Sequence, residues 1–137
     1  MAHWLYKSEP GTWSWDDHVK ASVTPWDGVR NHQANSNMKA MAVGDRGFFY
    51  HSGEERQIVG VVEVVKAWYP DPKDPGGKLG MVDLKAVGPL PKPVTLAQAK
   101  QDPALNDMVL VKNSRLSVQP VTDAQWDHVC RLGGYAP

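Results

Sequence analysis

Gln57 to Ala67, QIVGVVEVVKA, is the stretch that decides the fold. Valine dominates it, and its apolar residues fall on consecutive positions rather than on every second one. It therefore reads as a strand apolar on both faces. Gly60 stands inside the run and predicts a bulge or bend. Upstream, Gly44-Asp45 turns into Arg46 to His51, whose Phe-Phe-Tyr centre reads as another strand. Downstream, Pro70 to Gly80 holds three prolines and three glycines and reads as a loop. A strand from Met81 to Val87 follows, ended by the sequence GPLPKP.

Working outward, Trp4 to Lys7 reads as a short strand stopped by Glu9-Pro10-Gly11. Thr12 or Ser14 caps a short helix through Ala21, with Asp16 and Asp17 in its first turn, where the helix dipole favours acids. Pro25 to Val29 is a turn. Asn31 to Met41 is expected to be helical only in its second half, because asparagine and serine prefer caps. Thr95 to Lys100 begins a short helix, Val109 to Val111 fits either a strand or a helix end, and Leu116 to Val118 reads as a strand. Thr122 caps a last helix that puts Trp126, Val129 and Cys130 on one side and stops at Gly133-Gly134. Helices do not alternate regularly with strands, which argues against a doubly wound parallel sheet. The expected class is α+β, mostly β: five to six strands in a small, partly open barrel with short peripheral helices. Trp4 and the valines of Val59 to Val65 are its expected core.

The 137 residues are the length of one domain, expected to span 1–137, and 42% hydrophobic against 22% charged residues is a globular balance. Cys130 is the single cysteine, so no internal disulfide can form, which fits a reducing compartment. MAHWLYKSEP has neither the cationic start nor the apolar run of a signal peptide, and no apolar stretch approaches the roughly 20 residues of a membrane helix. A cytoplasmic protein with no membrane partner is expected. Six tryptophans are many for this length, and indole rings suit flat ligands and interfaces. The 15 basic residues are matched by 15 acidic ones, with pI near 7.0. Strong nucleic-acid binders carry a basic excess, so a nucleic acid here is bound weakly or read by its base rather than its backbone.

Catalytic and metal chemistry find little support. The five histidines, at 3, 18, 32, 51 and 128, show no HxH or HExxH spacing, and with one cysteine there is no thiolate pair. Neither GxSxG nor a phosphate loop is present. His128 and Cys130 lie two apart on a helix and face different ways, so Cys130 reads as a buried structural residue. No metal, no cofactor and no catalytic residue is expected. Glu9 and Asp27, as paired carboxylates, are the one basis for a hydrolase.

Polar and aromatic groups beyond the needs of a core gather at three places: Lys7-Ser8-Glu9-Pro10, Trp26 with Asp27-Gly28-Val29-Arg30-Asn31, and Tyr50-His51-Ser52. Each is a strand end or a turn, where a barrel mouth collects binding groups. Each also has a plain structural explanation. Trp26 can plug a core, Arg30 can pair with a surface acid, and His51 can be a hydrogen-bonded barrel residue.

The segments WLYKSEP (4–10), WDGVRNHQA (26–34), VGDRGFFYHS (43–52), GMVDLKAV (80–87) and LSVQPVT (116–122) occur in order over nearly the whole chain. Together they resemble the EVE domain family, whose animal members are thymocyte nuclear protein-like and which is related to the YTH readers of methylated adenine. The resemblance implies a PUA-like pseudo-β-barrel and a non-catalytic pocket that accepts a modified base, modified cytosine in DNA ahead of RNA. By position it places Lys7, Ser8 and Glu9 on the pocket's first wall, Trp26 as its aromatic wall, and Val29, Arg30 and Asn31 on the adjoining turn. Tyr50, His51 and Ser52 are expected on the far side, with Met81 on the neighbouring strand. His32 and Leu79 depart from the aromatic residues common at these positions. The sequence has no nuclear-targeting cluster of lysine and arginine, so a bacterial cytoplasmic monomer is expected. The alternatives are an RNA reader, a small-molecule or protein-binding module using the same pocket, and a hydrolase using Glu9 and Asp27.

Overall fold

The computed structural model describes residues 2–136. Its strands are β1 (His3–Ser8), β2 (Val23–Pro25), β3 (Arg46–His51), β4 (Gln57–Pro70), β5 (Gly80–Thr95) and β6 (Val118–Val121). The helices are α1 (Trp15–Ala21), α2 (His32–Lys39), α3 (Leu96–Gln101), α4 (Val109–Lys112) and α5 (Asp123–Gly133). One open sheet runs β2-β5-β4-β3-β1-β6, antiparallel throughout except for the parallel pair β1 and β3. This is the partly open pseudo-barrel the sequence predicts, and among the described residues the sheet does not close on itself.

Side-chain alternation divides the core in two. Trp4, Tyr6, Phe49, Val62 and Val64 point to one face, where Trp15 of α1 and Ala34 and Met38 of α2 cover them. Leu5, Phe48, Tyr50 and Val61 point to the other, under Ala99 of α3, Leu110 of α4 and Trp126 and Val129 of α5. A sheet covered on both faces needs strands apolar on both faces. That is why Gln57 to Ala67 lacks simple alternation. Gly60 is the expected irregularity: the β4–β5 register slips between Ile58 and Gly60. A Cβ there would lie 2.6 Å from the Trp15 ring, so the missing side chain lets α1 approach the sheet.

Local capping explains the helix starts. Ser14, rather than Thr12, begins α1 in a reciprocal capping box with Asp17, and Thr95 and Thr122 do the same for α3 and α5 with Gln98 and Gln125. Gly134, at φ +69°, ends α5 in the left-handed region.

Several boundaries differ from the sequence-based expectation. α2 is helical from His32, not from its midpoint, because Asn31 caps it by accepting the Ala34 N–H at 2.9 Å and Ala34 and Met38 are drawn into the core. β5 continues to Thr95 through Pro89, Pro91 and Pro93. The prolines are tolerated because β2 pairs only with Asp83 to Lys85, and the register with β4 jumps from Gly60–Pro89 to Ile58–Val94. Pro25 ends β2 instead of starting a turn, Val109 to Lys112 is a helical turn, and β6 lies at Val118–Val121 rather than Leu116 to Val118.

Candidate functional site

A cavity of about 650 Å³ opens where the end of β1, the loop into α1, the end of β2 with its following turn, and the segment before β6 converge. Its walls include Lys7, Ser8, Glu9, Trp13, Trp26 and Arg30. It lies on the α1/α2 face of the sheet, since Trp26 and Trp13 pack against that half of the core.

The Trp26 wall is fixed from behind. Its backbone N–H donates to the Val82 carbonyl at 2.8 Å. Its half-buried ring meets Tyr6 and Phe49 edge-on, each with ring centres 5.6 Å apart. The turn after it needs Gly28, at φ +72°, a conformation other residues adopt at a cost. The Gly28 N–H donates to Asp71 Oδ2 at 3.0 Å, and the Lys73 N–H donates to Asp71 Oδ1 at 2.8 Å. These two N–H groups hold the buried Asp71 carboxyl below its ordinary range, and Arg30 Nη1, 3.6 Å away, adds to the effect. The Arg30 side chain is still 49% exposed at the mouth. Lys73 Nζ also pairs with Asp27 at 2.7 Å.

The Trp13 wall is held at both ends. The Ser8 hydroxyl donates to its carbonyl, and its indole N–H donates to His18 Nδ1 at 3.1 Å. His18 Nε2 in turn donates to the Leu84 carbonyl at 2.9 Å. Burial pushes the fully enclosed imidazole below its usual pKa.

Lys7, Ser8, Glu9, Trp26, Val29 and Arg30 are therefore brought together around one cavity. Asn31, Tyr50, His51, Ser52 and Met81 stand away from its lining. Asn31 is the α2 cap. Tyr50 points to the opposite core, with Lys7 Nζ 5.7 Å from its ring centre. His51 Nε2 accepts the Trp15 N–H at 2.9 Å while Nδ1 donates to Glu55 Oε1 at 2.9 Å, so it anchors the start of α1. Ser52 donates its N–H to the Ser8 carbonyl at 2.9 Å, and Met81 is buried on β5 opposite Tyr69. His32 and Leu79 are also outside the lining; the first is exposed on α2 and the second is buried.

Sequence reading missed Thr12, Trp13, Thr24 and Ser117 in the lining and Asp71 behind it. Trp13 carried a usable signal, because an aromatic residue just before a capped helix sits on a loop near the end of β1. Asp71 carried none, since its role depends on a contact between distant segments. The lining has mixed charge, with Lys7 and Arg30 alongside Glu9 and Asp27. The Lys7 ammonium donates to the Ser114 carbonyl, and burial lowers its pKa.

A mixed open sheet with short covering helices and a cavity at its converging strand ends is a PUA-like fold. The chain belongs to the EVE domain family, whose pattern matches residues 2–132. Human thymocyte nuclear protein 1 is 35% identical over 166 aligned positions, covering 96% of this chain and 73% of that protein. A protein from Rhodopseudomonas palustris, solved by NMR, is 54% identical with a TM-score of 0.93, over 98% of this chain and 94% of that one. The crystal structure of the human THYN1 protein in complex with 5-methylcytosine-containing DNA matches at 35% identity and a TM-score of 0.89, over 100% of both chains. The fold extends to a YTH domain from Zygosaccharomyces rouxii, 20% identical with a TM-score of 0.57, over 99% of this chain and 88% of that one.

Proposed function

We propose that this chain is a non-catalytic reader that takes one modified base, 5-methylcytosine in DNA ahead of a modified base in RNA, into the cavity between Trp13 and Trp26. The observation that carries this reading is the pairing of two tryptophans in the lining of one 650 Å³ cavity. It is supported by likeness, over the whole of the crystallised chain, to the human THYN1 protein in complex with 5-methylcytosine-containing DNA.

Extracting a base from a duplex costs a few kcal/mol, and stacking on an aromatic side chain returns roughly 1–3 kcal/mol per base. Stacking therefore about balances extraction, and selectivity falls to the walls. One added methyl contributes only about 0.8 kcal/mol by burial, so preference for a methylated base is modest unless the walls fit it closely. Because the Ser8 hydroxyl proton is committed to the Trp13 carbonyl, Ser8 offers the base an acceptor, and Glu9 offers a second at the mouth. Arg30 and Lys7 are the groups proposed to meet flanking phosphates. Against catalysis by Glu9 and Asp27, the Asp27 carboxylate is already paired with Lys73. The protein is proposed to act as a cytoplasmic monomer.

The mixed mouth charge favours one second reading, a module for small molecules or proteins. A competition panel decides between them, using short DNA and RNA strands, single and double, with and without methylated bases. Preferential binding of a methylated strand without turnover is expected. Equal indifference to every strand overturns the proposal, and cleavage that disappears in Glu9→Gln makes the protein an enzyme.

A further inference from the structure

We infer that His18 is a positioning residue of the cavity: its imidazole takes the indole N–H of Trp13 and thereby fixes the plane against which a flat base stacks. This rests on the base-binding reading above.

His18 is fully buried on α1, and its ring is tied to the sheet through Nε2 and the Leu84 carbonyl at 2.9 Å. A carbonyl accepts only, so Nε2 carries the proton and Nδ1 is left as an acceptor. That acceptor faces Trp13 Nε1 at 3.1 Å. The same ring lies 6.0 Å from the Trp13 ring centre, 6.1 Å from that of Trp26 and 5.5 Å from that of Phe49. One imidazole therefore touches both tryptophans of the cavity and transmits the position of β5 to them.

A buried histidine that merely filled space would need no particular tautomer or partner. Here the donor end and the acceptor end are both used, and the acceptor end is spent on a half-exposed side chain of the cavity wall. An indole ring turns readily about its second side-chain torsion. With the Trp13 carbonyl held by Ser8 and its indole held by His18, both backbone and ring are set before a ligand arrives. Preorganisation of this kind raises affinity by lowering the ordering cost of binding.

The test uses the full chain, a 5-methylcytosine duplex as probe, and the variants His18→Leu, His18→Asn and Trp13→Phe. The Trp13 indole N–H resonance is assigned by its disappearance in Trp13→Phe. His18→Leu should shift that resonance upfield and weaken duplex binding about five- to thirtyfold, within the effect of losing one stacking partner. His18→Asn retains an acceptor near the place of Nδ1 but loses the Leu84 contact. It should return both the resonance and the affinity toward wild type, which a purely structural role would not do. In a Trp13→Phe background, His18→Leu should add no further loss. An unmoved Trp13 resonance in His18→Leu, or a moved resonance with wild-type affinity, overturns the inference. If His18→Leu does not fold, Trp13→Phe decides alone, because it keeps a ring and removes the N–H; wild-type affinity there is equally contradictory. If the wild type ignores the duplex, the base-binding reading fails, whereas the indole resonance still reports whether His18 holds Trp13.

Discussion

The buried carboxylate of Asp71 accepts the backbone N–H of Gly28 at 3.0 Å, joining two segments 43 residues apart. It thereby fixes the turn that presents Trp26, Val29 and Arg30 to the cavity. Asp71→Asn should lower stability by about 1–3 kcal/mol, because the amide can accept only one of the two N–H groups that the buried carboxylate accepts and the charge that strengthens both bonds is gone. It should also weaken ligand binding beyond what the loss of folded protein explains. Thermal melts beside duplex titrations check this; a destabilised variant with normal affinity would mean the turn holds its shape without Asp71.

Val62 is fully buried between α1/α2 and the sheet, on the strand that decides the fold. Val62→Asp should leave no cooperative melting transition, because an unpaired charge in this core costs several kcal/mol. A soluble, cooperatively melting Val62→Asp protein contradicts the assignment of β4.

How far the sequence alone reaches depends on how local the cause is. The valine run of β4, the cap at Ser14 and the Arg46–His51 strand are set by neighbours a few residues away, and they are legible. α2 is not, because Asn31 to Ser36 has a poor helical composition and is helical through its cap and through burial of Ala34 and Met38 against the sheet. β5 is not legible past Val87, since its prolines fit only where the β4 register slips. In the site, Lys7 to Glu9 and Trp26 to Arg30 were marked by their excess of polar and aromatic groups. Of the two roles open to Trp26, core plug and cavity wall, it fills both: it lines the cavity and its ring packs on Tyr6 and Phe49, so truncating it also costs stability. His18 and Asp71 depend on contacts between elements and leave no pattern, whereas Trp13 is marked only by its place between the end of β1 and the capped start of α1.

Acid should weaken the fold through His18. Its surroundings, Trp13, Trp26, Phe49 and the Leu84 carbonyl, carry no charge, and burial holds its pKa below the ordinary 6.5, with the Leu84 contact opposing in part. Below pH 6.5 the unfolded chain takes up this proton more readily than the folded one. The His18 contribution is therefore complete above that pH and is lost as pH falls through the window below it. Melting temperature should drop between about pH 7, just above the ordinary imidazole value, and about pH 5, inside the window below it, and less steeply in His18→Leu. Equal slopes in both proteins contradict this.

Arg30 is half-exposed at the mouth and shares its charge with Asp71. Arg30→Ala should weaken methylated and unmethylated duplexes alike and flatten the dependence of log affinity on log salt by up to about 0.9, the value of one phosphate contact. Titrations at several salt concentrations test it. A loss confined to the methylated duplex would make Arg30 a base contact instead.

Stacking of a modified base against Trp26 in the cavity is measured by titrating matched duplexes that differ only in one 5-methylcytosine, with wild type and Trp26→Ala in parallel. Thermal melts ensure that only folded protein is compared. Wild type should prefer the methylated duplex, and Trp26→Ala should lose roughly 1–3 kcal/mol of binding, about fivefold to 150-fold. A folded Trp26→Ala protein that binds both duplexes as the wild type does contradicts the account.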